Sequence, residues 1–232
     1  MKAVKISVIV PAYNESATVA ACLKSVFDKN PGMDMEAVVV DDGSSDSTEA
    51  RVKSLGLPAV RFLKHPVNRG KGAAVRTALA AASGDVILIQ DADLEYDPKD
   101  YRALLEPLLD GRADVVYGSR FLGGPHRVLF FWHYAANKFF TLLTNVLFNV
   151  TLTDVGVGYK AFRTPILRGL TLRTERFGID MEISAKIFKA GRWRIYEVPI
   201  SYSGRTYAEG KKITWRDAFD YLACLLRYRV SN

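Results

Sequence analysis

Short apolar runs alternate with segments of helical spacing through the first half of the chain. The apolar runs predict five buried strands, at residues 8–10, 37–40, 60–63, 86–89 and 115–117. Apolar residues at helical spacing predict helices at 16–30, 47–55, 71–82 and 100–109. Continuous apolar strands separated by helices are typical of a parallel sheet covered on both faces. We therefore predict an α/β fold in which ligands bind beyond the carboxyl ends of the strands.

The pattern changes after about residue 130. A long apolar helix at 130–148 is followed by a mixed stretch and by a basic helix at 215–229. No run reaches the roughly 18 uncharged apolar residues of a membrane-spanning helix. The segment 139–150 is therefore predicted to be a core helix or a helix lying on a membrane surface. No repeat or linker separates this region from the first half, so we expect one domain over 1–232.

Composition and charge narrow the class of protein. The 232 residues are 49% apolar and 25% charged, which is typical of a globular domain and excludes a disordered or fibrous chain. Lys and Arg number 32 against 25 Asp and Glu, a net charge of +7. This surplus indicates an anionic partner or serves solubility alone. Cys22 and Cys224 lack metal-site spacing and predict buried thiols, and no signal-peptide pattern opens the chain, so a reducing, cytoplasmic location is expected.

Carboxylates follow the strand predicted at 86–89, in the order Asp91-Ala92-Asp93. Alternate carboxylates at a strand end suit Mg²⁺ or Mn²⁺, which choose oxygen ligands and retain phosphates in their coordination shell. A turn or helix cap is the alternative for an isolated pair. Because polar residues follow three further strands of the same predicted edge, we interpret this pair as part of a site.

Two other polar segments follow strands or open a helix. Asp41-Asp42-Gly43-Ser44-Ser45-Asp46 follows the second strand. It can form a turn and a helix N-cap, with Ser45 or Asp46 capping, or place a carboxylate against a nucleobase edge or ribose hydroxyls. Residues 68–72, which include Lys71, open a helix where backbone N–H groups and the lysine could bind phosphate. This segment lacks the first glycine of a Walker A loop, and no GxGxxG follows the first strand.

Five motifs occur in an order that resembles the inverting family 2 glycosyltransferases of the GT-A fold. They are SVIVPAYNE at 7–15, VVDDGS at 39–44, RGKG at 69–72, DAD at 91–93 and GSRF at 118–121. Within that family they are most similar to the dolichol-phosphate mannose synthase group. The similarity continues through 153–163 and 197–207, and thus covers nearly the whole chain.

The resemblance implies transfer of a hexose, with inversion, from GDP-mannose or UDP-glucose to a dolichyl or undecaprenyl phosphate, with Mg²⁺ or Mn²⁺ as cofactor. A lipid phosphate is already ionised at neutral pH, so it needs nearby cations rather than a general base. Two alternatives stay open. One is transfer to a hydroxyl of a glycan or small molecule, and the other is a noncatalytic membrane-associated subunit that binds nucleotide sugar.

The resemblance and the strand-end positions together predict the residues of the site. Donor nucleotide contacts are predicted at Pro11, Ala12, Tyr13, Asn14, Glu15, Asp41, Asp42, Gly43, Lys71, Asp91 and Ala92. Metal binding is predicted for Asp91 and Asp93, and catalytic roles for Asp93, Arg120 and Arg205. The acceptor phosphate is predicted to meet Arg120, Arg127 and Lys211, with Lys212 as a further candidate. Arg127, Lys211 and Lys212 are alternatively solvated surface charges, and Asp154 is expected to act as a base or to orient an arginine.

The second half of the chain is expected to serve the acceptor. We predict nucleotide-sugar binding by residues 1–122 and acceptor binding by residues 123–232. A lipid acceptor predicts a peripheral position at the cytoplasmic membrane face, reached directly or through a separate membrane subunit. No nucleic-acid partner is expected. One departure from the family pattern is Gly156, where many relatives carry an acidic residue.

Overall fold

The apolar runs form one seven-stranded sheet in the computed structural model, which describes residues 4–212 and 217–231. The strands are β1 Lys5–Ala12, β2 Asp34–Asp41, β3 Val60–Lys64, β4 Val86–Ile89, β5 Val115–Ser119, β6 Lys160–Arg163 and β7 Ile195–Pro199. All five strands predicted from the sequence are present. The α/β fold class is therefore confirmed.

The order across the sheet is β3-β2-β1-β4-β6-β5-β7. Only β6 runs against its neighbours among the described strands, since it pairs antiparallel with both β4 and β5. Every other pair is parallel. The strands β6 and β7 were not predicted, and they bring the second half of the chain into the same sheet as the first.

Eight helices lie in the described residues. They are α1 Val19–Asp28, α2 Thr48–Lys53, α3 Lys71–Ala81, α4 Tyr101–Leu109, α5 Phe131–Phe148, α6 Thr164–Arg168, α7 Ile179–Ala190 and α8 Asp217–Val230. Helix α3 packs on β1 and β2, α4 packs on β5, and α5, α7 and α8 contact one another. The start predicted for the last helix, residues 215–216, lies outside the described residues.

The register places the ends of the central strands at one edge of the sheet. Ala12 pairs with Asp41, the last residues of β1 and β2. Pairing between β1 and β4 stops earlier, at Ile9 and Ile89. Pro11 lies beyond the residues of β1 that pair with β4, where the N–H that proline lacks is not needed. The carboxyl edge of the sheet is thus opened between β1 and β4, where the predicted donor residues begin.

Helix α5 has a buried side and an exposed apolar side. Phe140, Thr141 and Thr144 are buried against the domain. We define the α5 outer face as four side chains with their exposed fractions: Trp132 (78%), Phe139 (56%), Leu142 (63%) and Val146 (72%). No helix in the described part of the chain is long and apolar enough to cross a membrane.

Both cysteines are free thiols. Cys22 is buried as predicted, and burial raises the pKa of its thiol. Cys224 is only partly buried, with its Sγ 3.6 Å from Thr174 Oγ1, so the prediction of a buried thiol was wrong there. Cys224 belongs to α8, which lies at the surface of the domain, so neighbouring residues cover its side chain only in part.

Candidate active site

Hydrogen bonds join the loops that follow β1 and β2. Asn14 takes a left-handed backbone conformation, with φ of 49°. Its Oδ1 accepts from Ser45 N at 2.9 Å, and its own N–H donates to Ser44 Oγ at 2.8 Å. Glu15 N donates to Thr48 Oγ1 at 2.9 Å. These bonds bring together one group of the predicted donor residues: Pro11, Ala12, Tyr13, Asn14, Glu15, Asp41, Asp42 and Gly43.

The carboxylate of Asp42 holds the glycine-rich loop in front of α3. It accepts from Arg69 N at 3.0 Å and from Gly70 N at 2.6 Å, and it lies 2.6 Å from His65 Nδ1. Gly70 has φ of 94°, a conformation that suits glycine. Asp42 is thus buried and bound on several sides by the protein itself.

Its neighbour Asp41 is also buried but is less fully bound. Oδ1 accepts from Ser44 N at 2.9 Å, whereas Oδ2 has no hydrogen-bond partner and lies 3.9 Å from Lys64 Nζ. A buried acceptor without a partner is unfavourable. The N-cap of α2 is Ser47, whose side chain makes no capping hydrogen bond, and Asp46 just before it accepts from Thr48 N at 3.0 Å.

The backbone N–H groups at the start of α3 are already bound within the protein. Those of Arg69 and Gly70 donate to Asp42, and those of Gly72 and Ala73 donate to Glu175 O at 2.7 and 3.2 Å. The N–H groups of Arg69, Gly70 and Gly72, which were predicted to bind phosphate, are therefore held by Asp42 and Glu175 in this structure. A phosphate role at this loop rests on Lys71 alone.

Lys71 belongs to a buried chain of alternating charges. Its Nζ lies 2.9 Å from Asp91 Oδ1 and 3.3 Å from Asp180 Oδ2. Asp180 Oδ1 lies 3.1 Å from Lys160 Nζ, which is completely buried. Burial opposes the charge of Lys71, but Asp180 and Asp91 outweigh it and raise the pKa of Lys71.

Gly158 is what allows this chain of charges to form next to β6. A Cβ at this position would lie 2.5 Å from Asp91 Oδ2 and 3.3 Å from Lys71 Nζ. Any side chain there would push the Asp91 carboxylate out of place. The glycine therefore belongs to the site although it has no functional group.

Asp93 lies in a cluster of carboxylates. Its Oδ1 accepts from Glu95 N at 3.1 Å. Asp93 therefore also forms a turn, which was the alternative interpretation of this segment. Burial, together with the carboxylates of Asp91 and Glu95, raises the pKa of Asp93 to about 7, although Arg205 opposes this shift. An anionic cluster of this kind binds cations strongly.

Arg205 lies between Asp93 and Glu15. Its Nη2 is 3.1 Å from Asp93 Oδ2 and 3.1 Å from Glu15 Oε1, and its backbone N donates to Glu95 Oε1 at 2.8 Å. Its Nε is buried and has no hydrogen-bond partner. Lys212 also contacts this cluster, through Glu15 Oε1 at 2.6 Å and the backbone oxygen of Tyr13. The segment that carries Arg205 and Lys212 thus lies against the loop at residues 11–15.

On the other side of the site, Arg120 binds Asp154. Nε lies 2.6 Å from Oδ2 and Nη2 lies 2.7 Å from Oδ1, and Asp154 is fully buried. Burial disfavours the charge of Asp154, but the charge and hydrogen bonds of Arg120 outweigh it and lower the pKa. Glu197 fixes the loop by accepting from Thr153 N and Asp154 N, each at 3.0 Å.

Tyr202 links this arginine to the carboxylate cluster. Its ring centroid lies 5.0 Å from Arg120 Cζ, and its hydroxyl donates to Glu95 Oε2 at 2.8 Å. Glu95 in turn accepts from the backbone of Arg205. The two arginines, each partly buried, are therefore joined through one tyrosine and one glutamate.

The structure gives Arg127 and Lys211 different surroundings from Arg120. Arg127 Nη1 lies 2.8 Å from Glu209 Oε2, and both side chains are about half exposed. Burial lowers the pKa of His133, and the positive charge of Lys211 lowers it further. The surface ion pair of Arg127 agrees with the alternative of a solvated charge.

The chemistry of the cluster fits a divalent cation. Asp91 and Asp93 offer only hard oxygen ligands, and Arg205 Nη2 already lies 3.1 Å from Asp93 Oδ2, so positive charge is held at this carboxylate. No group of three or more His, Cys, Asp or Glu side chains suited to a metal occurs in the described residues. Mg²⁺ is commonly held by one or two carboxylates plus substrate phosphates, so two carboxylates are sufficient when a diphosphate is bound.

Comparison with known proteins identifies the family. The sequence profile described as glycosyl transferase family 2 matches residues 7–171, which include every strand-end motif of the donor side. The chain belongs to glycosyl transferase family 2. This family 2 glycosyltransferase is 29% identical over 227 residues to the dolichol-phosphate mannosyltransferase of Pyrococcus furiosus, and the match covers 96% of this chain and 63% of that protein.

A second relative is the undecaprenyl-phosphate mannosyltransferase of Micrococcus luteus, 29% identical over 218 residues, with 89% of this chain and 87% of that protein covered. Among solved structures, the glucosyl-3-phosphoglycerate synthase of Mycobacterium tuberculosis in complex with Mn²⁺, UDP and phosphoglyceric acid is 25% identical, with a TM-score of 0.77. That match covers 99% of this chain and 80% of the solved chain. The fold of the family 2 glycosyltransferase is therefore GT-A, as expected.

Three residues of the site were missed in the sequence. Asp180 lies in a mixed segment whose charges gave no periodic pattern, and its partners lie far away in sequence. Asn137 lies within an apolar helix, where a single amide gives no signal. Glu95 could have been found, because it continues the alternation of Asp91 and Asp93 by one more acidic position.

Proposed function

We propose that this family 2 glycosyltransferase moves a hexose from a nucleoside diphosphate sugar to a polyprenyl phosphate, with inversion at the anomeric carbon. The observation that carries the proposal is the pairing of Asp154 with Arg120. It bears directly on whether the acceptor oxygen must lose a proton during the reaction.

Asp154 is a poor general base in this arrangement. Its pKa is lowered, and both of its oxygens accept hydrogen bonds from Arg120. A hydroxyl acceptor needs a base of higher pKa near the attacking oxygen. A phosphate acceptor is already ionised, so what it needs is positive charge that offsets its repulsion by the donor diphosphate. Asp154 orients Arg120 for that purpose, the second of the two roles expected for it.

Arg120 and Arg205 supply that charge from two sides. Asp154 uses two of the five N–H donors of the Arg120 guanidinium through its side chain, which leaves donors for an acceptor phosphate. Arg205 has a buried Nε that makes no hydrogen bond and lies 3.7 Å from Glu95 Oε1, and a phosphate oxygen would supply the missing acceptor. We therefore assign Arg120 to the acceptor phosphate and Arg205, with Lys212, to the phosphates of the donor.

On the donor side, Asp91 and Asp93 would hold a divalent cation, which supplies positive charge to the leaving diphosphate when bound. Asp41, with its unpartnered oxygen, and the loop 11–15 would bind the nucleoside. Lys71 would hold the Asp91 carboxylate in position through the contact between its Nζ and Asp91 Oδ1. When the diphosphate enters, Arg205 would exchange its contact with Asp93 for contacts with phosphate oxygens.

The names of the curated relatives support the acceptor class. Both relatives described above carry names of polyprenyl-phosphate mannosyltransferases, one for dolichol phosphate and one for undecaprenyl phosphate. A third, from Salmonella paratyphi B, is named for transfer of a formamido-arabinose to undecaprenyl phosphate, at 28% identity. The sugar therefore differs among relatives, while the lipid phosphate is common to them.

A lipid acceptor requires contact with a membrane surface. The α5 outer face offers exposed aromatic and aliphatic side chains close in sequence to Asn137 and Lys138. Arg227 and Arg229 in the last turn of α8 add positive charge on a helix that packs against α5. Such a combination suits the interface of an anionic membrane. We infer a peripheral position at the cytoplasmic membrane face.

One observation favours a second candidate function. The solved neighbour at 25% identity was crystallised with phosphoglyceric acid, a small phosphorylated acid. Transfer to a hydroxyl of such a compound would use the same donor side and the same cations. It would produce a water-soluble product rather than a lipid.

The two functions are separated by where the labelled sugar goes. The purified chain is incubated with Mn²⁺, undecaprenyl phosphate and either GDP-[¹⁴C]mannose or UDP-[¹⁴C]glucose, and the mixture is extracted with chloroform and methanol. The proposal predicts label in the organic phase with one donor, and none when the lipid or the metal is omitted. Label that stays in water, as a sugar joined to phosphoglyceric acid supplied in parallel, would support the second candidate.

A further inference from the structure

The side chain of Asn137 on α5 completes the surroundings of Asp154. Its Nδ2 donates to Asp154 Oδ1 at 2.8 Å, the same oxygen that accepts from Arg120 Nη2 at 2.7 Å. The other carboxylate oxygen accepts from Arg120 N and Nε. Asn137 is therefore the residue outside the Arg120 pair that fixes the carboxylate plane.

The space that Asn137 occupies exists because residue 156 is glycine. A Cβ at Gly156 would lie 2.4 Å from Asn137 Oδ1, a distance that carbon and oxygen atoms do not adopt without movement. The next nearest atoms are Asn137 Cγ at 3.6 Å and Arg120 Nη2 at 3.8 Å. A side chain at 156 would thus displace Asn137 first and disturb Arg120 next.

We infer that Asn137 is a positioning residue that fixes the Arg120 guanidinium through Asp154, and that Gly156 is the partner position that makes room for it. The inference rests on the proposed function for its acceptor, since Arg120 is assigned there to the acceptor phosphate. It adds that helix α5, whose outer face is exposed, contacts the Asp154 carboxylate through the amide of Asn137.

The amide is suited to this role because it is neutral. A hydrogen bond from Nδ2 to the carboxylate is charge-assisted and holds Asp154 without adding a second negative charge. An aspartate at 137 would keep the shape of the side chain but would place one carboxylate against another. That substitution separates an electrostatic role from a packing role.

The test combines two readouts on the full chain. The first is the ¹H–¹⁵N resonance of Arg120 Nε, assigned by its loss in Arg120→Lys, which reports the pairing with Asp154 in the absence of any substrate. The second is the KM for undecaprenyl phosphate, set against the Kd for the nucleoside diphosphate. Variants are Asn137→Ala, Asn137→Asp, Gly156→Ala and the double variant of Asn137→Ala with Gly156→Ala.

Asn145→Ala is the matched control, because Asn145 lies on the same helix and binds the backbone of Leu152 through Nδ2 at 2.9 Å and Oδ1 at 3.0 Å. It should lower the melting temperature while leaving the Arg120 resonance and the acceptor KM unchanged. Asn137→Ala and Asn137→Asp should shift the resonance and raise the acceptor KM about tenfold or more, with the nucleotide Kd within about twofold.

The double variant gives the sharpest result. Gly156→Ala should impair acceptor use in the native background and add nothing once Asn137 is alanine, because the clash is then gone. Additive effects, or an unchanged Arg120 resonance in Asn137→Ala, would overturn the inference. If the native chain forms no lipid product at all, the proposed function fails, and the resonance of Arg120 still decides whether Asn137 positions it.

Discussion

Arg120 and Asp154 form a two-point ion pair: Nε lies 2.6 Å from Oδ2, and Nη2 lies 2.7 Å from Oδ1. Asp154 is fully buried and 15% of the Arg120 side chain is exposed, so each charge depends largely on the other for its stabilisation. It also determines which chemistry the acceptor side can support, because a carboxylate held in this way does not readily take up a proton.

Asp154→Asn should leave the Arg120 charge buried without its partner. We expect a loss of about 3–5 kcal/mol in the free energy of unfolding and a raised acceptor KM. The pKa of Asp154 is lowered, so its contribution is fully present above the ordinary value of about 3.9 and declines as pH falls through the native pKa. Urea unfolding from pH 7 down to pH 3 measures this decline.

The same variant distinguishes an orienting role from that of a base. An orienting role predicts that kcat falls less than kcat/KM for the acceptor, with the pH profile of kcat unchanged between pH 5 and 8. A loss of kcat by several orders of magnitude with unchanged acceptor KM would mean that Asp154 acts as a base.

Asp93→Asn should nearly abolish transfer at saturating Mn²⁺ and yet stabilise the metal-free fold at high pH. The pKa of Asp93 is raised to about 7, so the native state retains a proton that the unfolded chain releases near pH 4. Native stability therefore falls as pH rises from about 4 to 7, and the full penalty is present above 7. Asparagine has no such penalty, so the variant should exceed the native chain at pH 8.

Urea unfolding at pH 5 and pH 8 without metal measures this difference, and labelled-sugar transfer measures the loss of activity. Asp97→Asn is the control, because Asp97 binds Lys29 at 2.6 Å and its pKa is lowered despite burial. It should be slightly destabilising at pH 8 and leave transfer unchanged. Native-like turnover in Asp93→Asn would contradict the metal assignment.

Asp180→Asn should destabilise the fold and weaken donor binding. It removes the carboxylate 3.1 Å from the buried Lys160 and 3.3 Å from Lys71, so two lysines are left with reduced compensation. We expect a loss of about 3–5 kcal/mol in unfolding free energy. Asp110→Asn, which breaks the exposed pair with Arg112, should lose far less, because solvent screens an exposed ion pair. Equal losses in the two variants would show that the buried chain of charges contributes no more to the free energy of unfolding than an exposed ion pair.

The sequence predicted the donor side of the fold better than the acceptor side. Strand β4 was located to the residue because it is a continuous apolar run of the kind that only a doubly covered strand allows. Strand β6 was missed because Lys160 and Arg163 at its ends read as polar positions. Lys160 is nevertheless fully buried, since Asp180 compensates its charge from a helix that comes later in the chain.

The contacts of the site were less predictable than its members. Asp93 and Arg205 were both named, but their 3.1 Å pairing depends on how a late loop folds back over β4. The N–H groups of residues 68–72 were expected to bind phosphate, but that of Gly72 donates to the Glu175 oxygen, which comes from a distant loop. Local pattern identifies residue types at strand ends, whereas long-range loop packing determines their partners.

Vesicle flotation tests the membrane contact. The native chain should float with anionic vesicles at low salt and less so at high salt, because the screening length falls from about 30 Å at ~0.01 M to about 3 Å at ~1 M ionic strength. Replacing Trp132 and Phe139 by serine should reduce flotation, and so should Arg227→Gln with Arg229→Gln. Tyr196→Ser, on edge strand β7, is the control for loss of one exposed aromatic residue. No flotation of the native chain at low salt would reject direct attachment and leave a separate membrane subunit or a water-soluble acceptor.

Under the proposed function, the acceptor oxygen arrives already ionised and is bound by cations rather than deprotonated. The most direct measurement compares undecaprenyl phosphate with undecaprenol, the same lipid ending in a hydroxyl, under identical donor, Mn²⁺ and detergent conditions. We predict transfer to the phosphate, loss of that transfer in Arg120→Ala with little change in nucleotide affinity, and no detectable product from the alcohol. Equal transfer to the alcohol, or transfer to the phosphate that is indifferent to Arg120→Ala, would contradict the account.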